Sequence, residues 1–226
     1  LTMQLSIFVL IFQNNSMEKI KNIVLDYGNV IFMIDFVKLK DAFTQLGIEN
    51  VDAVFGHHGQ SALFDNFDKG KIDSTQFREG IRELTQNPAL TDAQIDTAWN
   101  SLLIGVPQGN HEILVQLKDR YRTFLLSNNN AIHYAYCMND IHEKYGVADN
   151  EGFFEKTYYS HLVGMRKPDA EIFELVMQEQ QLDPAETLFI DDSPQHLATA
   201  KQLGWHTALC TKEKPLRILL EEFELL

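Results

Sequence analysis

Short apolar runs that alternate with helical patterns restrict the folds open to this chain. The first run, Ile-Val-Leu at residues 23–25, is followed by Gly28, which predicts a buried strand that ends in a turn. Four similar runs follow, at residues 123–126, 157–160, 188–190 and 207–210. Spaced apolar residues between them, as at 111–120 and 170–181, are typical of helices. Strands that alternate with helices predict a Rossmann-like parallel sheet with helices on both faces.

Residues 36–106 depart from this alternation, because they show helical periodicity without an evident strand. One helix is predicted at 36–46, and another at 74–85 with Asp73 as its N-cap. The segment therefore reads as a helical insertion placed after the first strand of the sheet.

The change of pattern sets the expected domain boundaries. We expect an α/β core made of residues 17–35 and 107–226, and a helical cap made of residues 36–106. The hinge strands between the two parts are expected at 36–38 and 105–109.

Residues 1–16 contain an apolar run from Leu5 to Phe12, which is too short to span a bilayer. No Lys or Arg precedes this run, so it makes a poor signal peptide. Met17 begins a polar stretch that leads into the first strand. We interpret residues 1–16 as an upstream extension outside the native structure, with a membrane anchor as the alternative.

Charge and cysteine usage narrow the class of partner. The formal net charge is −13, so nucleic acid and anionic membrane surfaces would be repelled. A small phosphorylated anion can still bind where the positive field is local. Cys137 and Cys210 form no CxxC pair, which favours reduced thiols and a cytoplasmic location. We expect a monomer or homodimer without stable membrane association.

Chemically active side chains stand where the predicted strands end. The carboxyl ends of parallel strands meet at one edge of the sheet, which is where ligands bind in such folds. We therefore expect a single site formed by Asp26, by Ser127 with Asn128, by Lys167, and by Asp191 with Asp192.

These residue types suit phosphoryl transfer. Asp26, Asp191 and Asp192 are hard oxygen ligands of the kind that Mg²⁺ prefers. Ser127 and the N–H groups after it, Asn128 included, can donate hydrogen bonds to phosphate, and Lys167 adds a positive charge. A carboxylate can form an acyl-phosphate and so divide hydrolysis into two steps. The sequence predicts a Mg²⁺-dependent phosphatase with Asp26 as nucleophile.

The order of these motifs resembles that of the haloacid dehalogenase superfamily, whose members are mostly phosphatases. The motifs are Asp26-Tyr-Gly-Asn-Val, Leu126-Ser-Asn, Arg166-Lys-Pro and Asp191-Asp, and the resemblance covers residues 20–212. It implies that Asp26 is the nucleophile, that Ser127 and Lys167 bind phosphate, and that Asp191 and Asp192 serve the metal. It also implies a metal ligand in the backbone carbonyl of Gly28.

Gly28 departs from the usual pattern of these phosphatases, which carry at this position an Asp that acts as general acid and base. Three interpretations are open. In the first, the substrate is one with a good leaving group, such as a sugar 1-phosphate, since the motif resembles that of bacterial glucose-1-phosphate phosphatases. Alternatively, His57 or His58 of the cap supplies the proton. In the third, the protein is a weak or inactive phosphatase that binds a phosphorylated ligand.

A metal-independent 2-haloacid dehalogenase is a separate alternative, since that branch also lacks the second Asp. The adjacent acids Asp191 and Asp192 argue against it, because they would repel a substrate carboxylate. We expect the cap to select the substrate, with Phe64 and Lys69 as candidate specificity residues beside the two cap histidines.

Overall fold

The computed structural model describes residues 20–48, 51 and 62–226. Its strands are β1 (Asn22–Leu25), β2 (Met33–Ile34), β3 (Leu103–Gly105), β4 (Arg122–Ser127), β5 (Lys156–Tyr159), β6 (Thr187–Asp191) and β7 (His206–Leu209). Its helices are α1 (Phe36–Gln45), α2 (Ala62–Asp68), α3 (Ser74–Thr85), α4 (Asp92–Asn100), α5 (Asn110–Lys118), α6 (Ala131–Tyr145), α7 (Ser160–Val163), α8 (Ala170–Gln180), α9 (Pro194–Gln202) and α10 (Leu216–Glu222).

Five strands form one sheet in the order β5-β4-β1-β6-β7, and every pair of neighbours is parallel. Each of the five predicted runs overlaps one of these strands, so the predicted α/β fold with a parallel sheet is confirmed. β1 lies in the centre, and the chain builds the sheet to one side of it through β4 and to the other side through β6. The end of β1 is therefore the topological switch point, the usual ligand position of such sheets.

Both faces of the sheet are apolar because alternate residues of each strand point to opposite faces. Ile23 and Leu25 of β1 pack into a cluster with residues of α5, α6 and α10. Val24, between them, packs into a second cluster with α8 and α9. All four residues of β1 are buried, which is the pattern of a central parallel strand.

The helical insertion, by which we mean the described residues between β2 and β3, forms a hydrophobic cluster to which the core adds Ile132 of α6. Phe67 of α2 stacks on Phe77 of α3 with ring centroids 4.1 Å apart, and both side chains are buried. The N-cap predicted for α3 is confirmed, since Asp73 Oδ1 accepts a hydrogen bond of 2.8 Å from the Gln76 N–H. The domain boundaries themselves stay a prediction.

An antiparallel ribbon of β2 and β3 joins the insertion to the sheet. The hinge strand predicted at residues 36–38 is therefore wrong, because these residues form the first turn of α1. Asp35 starts that helix by accepting a hydrogen bond of 2.9 Å from the Val37 N–H. β3 also falls in a segment where no strand was evident. It is three residues long and incompletely buried, so it produces no apolar run.

Two sequence features fall outside the described residues: the extension at 1–16 and the cap histidines His57 and His58. Within the described ranges, no helix is both long and apolar enough to cross a membrane.

Candidate active site

Lys167 connects the ends of two adjacent strands through its ammonium group. Its Nζ atom lies 2.7 Å from Oδ1 of Asp26, at the end of β1, and 2.6 Å from Oδ2 of Asp191, at the end of β6. The Lys167 side chain has no solvent exposure. A buried ammonium group is tolerated only when opposite charges surround it, and these two carboxylates meet that need. Lys167 is thereby fixed beside Asp26.

A third carboxylate completes a group of acids at this edge. Asp26, Asp191 and Asp192 each offer an oxygen, and these oxygens all lie within 4.8 Å of one another. Asn29 positions Asp192, because its Nδ2 donates a 2.9 Å hydrogen bond to Asp192 Oδ2. Asn29 has a φ of 54°, a left-handed conformation that Asn accepts more readily than most residues. Its side chain is thereby directed from the β1 turn to the β6 turn.

His196 and Ser193 hold Asp191 in place. The Ser193 N–H donates a 2.7 Å hydrogen bond to Asp191 Oδ1, and His196 Nδ1 lies 2.9 Å from the same oxygen. No role was predicted for His196 or Asn29 from the sequence. Their signal is weak, since it consists of a polar residue within five positions of a predicted site carboxylate.

The electrostatics of the three carboxylates differ. Burial raises the pKa of Asp26 to about 7, and negative Asp191 and Asp192 add to this while Lys167 opposes it. Burial also tends to raise the pKa of Asp191, but Lys167 and His196 outweigh this effect and lower that pKa to about 2. Burial raises the pKa of Asp192 as well. One ammonium group therefore does not balance the negative charge of the three acids, and a divalent cation with oxygen preference fits this donor set.

Ser127 and Asn128, at the end of β4, lie beside the loop that carries Lys167. Asn128 Nδ2 donates a 2.8 Å hydrogen bond to the Lys167 carbonyl, and Asn128 Oδ1 accepts one of 2.9 Å from the Lys167 N–H. The Asn128 side chain thus holds this loop, and a part of Asn128 in phosphate binding stays a prediction. The buried Ser127 hydroxyl donates only a long bond of 3.4 Å, to the Asn128 carbonyl.

Gly28 leaves space close to Asp26. A Cβ atom built at this position would lie 3.9 Å from Asp26 Oδ2 and 3.3 Å from Cδ1 of Ile34. A side chain here would therefore begin in van der Waals contact with the Asp26 carboxylate. The glycine removes such a group from the site, as the sequence indicated.

The candidate specificity residues of the insertion have partners of their own. The Phe64 ring stacks on Trp99 at 5.5 Å within the apolar cluster of the insertion. Lys69 Nζ lies 3.2 Å from a carboxylate oxygen of Asp65 and 3.2 Å from one of Asp169 in the core. Lys69 thus connects the insertion to the core, and any contact of Phe64 or Lys69 with substrate stays a prediction.

A family model described as haloacid dehalogenase-like hydrolase matches residues 20–204. The chain belongs to the haloacid dehalogenase-like hydrolases. This confirms the resemblance that the four motifs indicated.

One relative of this chain is the D-ribitol-5-phosphate phosphatase of Bacteroides thetaiotaomicron. It is 31 % identical over 83 % of this chain and 90 % of that protein. A crystal structure of an enzyme of this family from the same organism, a mutant in complex with magnesium and inorganic phosphate, matches with a TM-score of 0.83. That match has 34 % identity and covers 89 % of this chain and 98 % of that chain. The predicted enzyme class, a phosphoric monoester hydrolase of this family, is confirmed.

The dehalogenase branch of the family shares the fold. The L-2-haloacid dehalogenase PA0810 matches with a TM-score of 0.58 and 20 % identity, covering 85 % of each chain. This likeness concerns the fold alone.

Proposed function

We propose that this chain is a Mg²⁺-dependent phosphatase that hydrolyses a small phosphorylated metabolite through an aspartyl-phosphate on Asp26. The observation that carries the proposal is the meeting of Asp26, Asp191, Asp192 and Lys167 at the switch point of the sheet. Ser127 ends the neighbouring strand β4, so this residue lies at the same edge of the sheet. The binding of magnesium by a relative of this chain adds support.

In the first step, an oxygen of Asp26 attacks phosphorus, the bond from phosphorus to the leaving oxygen breaks, and an acyl-phosphate forms. Lys167 holds the Asp26 carboxylate in position and favours its ionised form, while the Ser127 hydroxyl donates to a phosphoryl oxygen. In the second step, water attacks phosphorus, the bond from phosphorus to the Asp26 oxygen breaks, and inorganic phosphate leaves, with the Asp26 carboxylate restored and the water proton released to solvent. Asp26, Asp191, Asp192 and the Gly28 carbonyl would hold Mg²⁺, which when bound would supply positive charge against the phosphate dianion.

Gly28 limits the substrates that suit this site. General acid catalysis is typically worth about 10²–10⁴-fold, and no side chain at position 28 supplies it. The missing acid slows hydrolysis least for substrates whose leaving oxygen departs with little help from a proton. A sugar 1-phosphate is such a substrate, and D-ribitol 5-phosphate, the substrate that names a relative, has a poorer leaving group. We propose that the enzyme prefers sugar 1-phosphates, and D-ribitol 5-phosphate is the compound against which this preference is compared.

The acidic cluster weighs against both alternative functions. A 2-haloacid carries a carboxylate, and three acids within 4.8 Å of one another would repel it. Burying the Asp26 carboxylate beside the Lys167 ammonium group costs desolvation free energy. A protein that only binds phosphate gains nothing from this buried carboxylate.

The test is phosphate release from a panel of sugar phosphates, D-ribitol 5-phosphate and p-nitrophenyl phosphate, with Mg²⁺ and with EDTA. We expect release with Mg²⁺ and its loss in EDTA. Chloride release from 2-chloropropionate in EDTA would instead establish the dehalogenase. Binding of phosphosugars in calorimetry without any turnover would establish the binding protein.

A further inference from the structure

The Asn29 side chain links the acidic cluster of Asp26, Asp191 and Asp192 to the ribbon that joins the insertion to the sheet. Its Nδ2 donates a 2.9 Å hydrogen bond to Asp192 Oδ2, and its Oδ1 accepts one of 3.2 Å from the Ile34 N–H of β2. An amide turned the other way would place its oxygen against the carboxylate and its NH₂ group against an N–H. The two partners therefore fix the amide in one orientation.

The backbone of Asn29 is held as well as its side chain. Its N–H donates a 2.8 Å hydrogen bond to the Phe32 carbonyl, and its own carbonyl lies 3.6 Å from Sγ of the buried Cys210. Gly28, whose carbonyl is a proposed metal ligand, directly precedes it in the turn. Asn29 thus stands between two proposed ligands, since it is joined to Gly28 along the chain and hydrogen-bonded to Asp192.

Asp192 depends on Asn29 more than the other two carboxylates do. Lys167 donates to both Asp26 and Asp191. Among the described residues, the Asn29 amide is the only hydrogen-bond donor to the Asp192 side chain. Asp192 is also half-buried, whereas the other two acids are buried. The direction in which Asp192 presents its remaining oxygen is therefore set by Asn29.

We propose that Asn29 is a positioning residue that gives the acidic cluster its affinity for Mg²⁺ and its preference for Mg²⁺ over larger cations. Mg²⁺ requires nearly ideal octahedral coordination, whereas Ca²⁺ accepts irregular arrangements of its oxygen ligands. An Asp192 carboxylate that is free to rotate would therefore weaken the binding of Mg²⁺ more than that of Ca²⁺. This inference concerns the metal of the proposed function and rests on that function.

The test removes the amide and keeps the turn. In Asn29→Gly both hydrogen bonds of the side chain are lost, and the φ of 54° is one that glycine adopts readily. Calorimetric titration of the metal-free protein with Mg²⁺ and with Ca²⁺ measures both dissociation constants without turnover. We expect the dissociation constant for Mg²⁺ to rise about 10-fold, as is usual when an outer partner of a metal ligand is lost, and that for Ca²⁺ to rise less than about threefold.

Asn110→Ala is the matched control, because it removes another asparagine amide from the same turn. Asn110 Nδ2 donates to the carbonyls of Val30 and Ile31, at 3.4 Å and 3.0 Å, and makes no hydrogen bond to Asp192 within the described part of the chain. We expect this variant to keep both wild-type dissociation constants. A loss of Mg²⁺ affinity equal to that of Asn29→Gly would mean that a looser turn is the cause, which overturns the inference.

Asn29→Asp keeps the inference testable if Asn29→Gly does not fold. Its carboxylate can still accept from the Ile34 N–H but cannot donate to Asp192. The added negative charge attracts both cations, so the readout is the ratio of the Ca²⁺ dissociation constant to the Mg²⁺ dissociation constant. This ratio should fall about threefold or more in either variant. An unchanged ratio would overturn the inference.

These outcomes are separate from those of the proposed function. Unchanged or equally weakened binding of the two cations in Asn29→Gly overturns the role of Asn29, and Mg²⁺-dependent phosphate release by the wild type then leaves the phosphatase standing. Absence of such release from every compound, p-nitrophenyl phosphate included, would refute the proposed function, whereas the two dissociation constants would still decide the role of Asn29. A wild-type protein that binds no Mg²⁺ would refute both.

Discussion

Restoring an acid at position 28 should raise activity on substrates with poor leaving groups. In Gly28→Asp, the new Cβ would lie 3.9 Å from Asp26 Oδ2, which brings the added carboxyl group within reach of the reacting centre. Negative Asp26 and its acidic neighbours disfavour ionisation of that group, so its pKa rises and it can donate a proton. The variant thereby gains the general acid that the wild-type chain lacks.

The size of the effect follows from two opposed terms. General acid catalysis is worth about 10²–10⁴-fold, and an acid placed without refinement should fall below this range or just reach it, at about 10- to 100-fold. The same Cβ would lie 3.3 Å from Ile34 Cδ1, so Ile34 must shift by a few tenths of an ångström. Overpacking of this kind costs about 1–3 kcal/mol of stability, and Ile34→Val, which removes the contacting methyl group, should relieve part of it.

The assay compares two leaving groups. D-ribitol 5-phosphate needs protonation of its leaving oxygen, whereas p-nitrophenolate departs without it. We expect kcat for ribitol 5-phosphate, relative to that for p-nitrophenyl phosphate, to rise about 10- to 100-fold in Gly28→Asp. Gly28→Asn is the control, since it has nearly the same shape and no acid. If the Asp and Asn variants give the same ratio, the reasoning that Gly28 deprives the site of an acid is refuted.

Three further predictions concern charge, stability and substrate. In Lys167→Met, Asp26 and Asp191 lose the cation that they share, so the free energy of unfolding without metal should fall by about 3 kcal/mol in urea titrations. Mg²⁺ should restore part of this loss. Equal losses with and without Mg²⁺ would contradict the prediction. Burial lowers the pKa of His111 to about 4 in the folded protein, whereas in the unfolded chain the imidazole is protonated below about pH 6.5. The folded protein therefore loses stability as the pH falls from about 6.5 toward 4. Between pH 7 and pH 5 this loss amounts to about 2 kcal/mol. In His111→Leu, the free energy of unfolding should depend less on pH by this amount. An unchanged pH dependence would disprove that His111 is the titrating group. Turnover of glucose 1-phosphate should exceed that of glucose 6-phosphate, and the reverse order would argue against the leaving-group preference.

The parallel sheet and the carboxylate cluster could be predicted because both depend on local sequence. Buried central strands such as β1 appear as unbroken apolar runs, and a residue that directly follows such a run, as Asp26 does, must lie at the carboxyl edge. The helix cap at Asp73 was equally visible, since it depends on side chains only three residues apart.

Other features depend on contacts between distant segments. The ribbon of β2 and β3 pairs short, half-buried segments that carry no periodic signal. The contact of Asn29 with Asp192 joins two turns 163 positions apart, and that of Arg166 with Asp65 joins residues 101 apart. A polar side chain in a turn looks the same whether it faces solvent or such a partner, so tertiary packing alone reveals these roles.

Phosphate release by Asp26→Asn tests the central claim most directly. The Asp26 carboxyl has a pKa raised to about 7 by burial, so it is partly neutral near pH 7 and a neutral amide of the same shape should change stability little. A loss of activity in the folded variant would therefore report on chemistry. We expect Mg²⁺-dependent phosphate release to be abolished while the melting temperature stays near that of the wild type. Wild-type turnover by Asp26→Asn would contradict its assignment as the nucleophile.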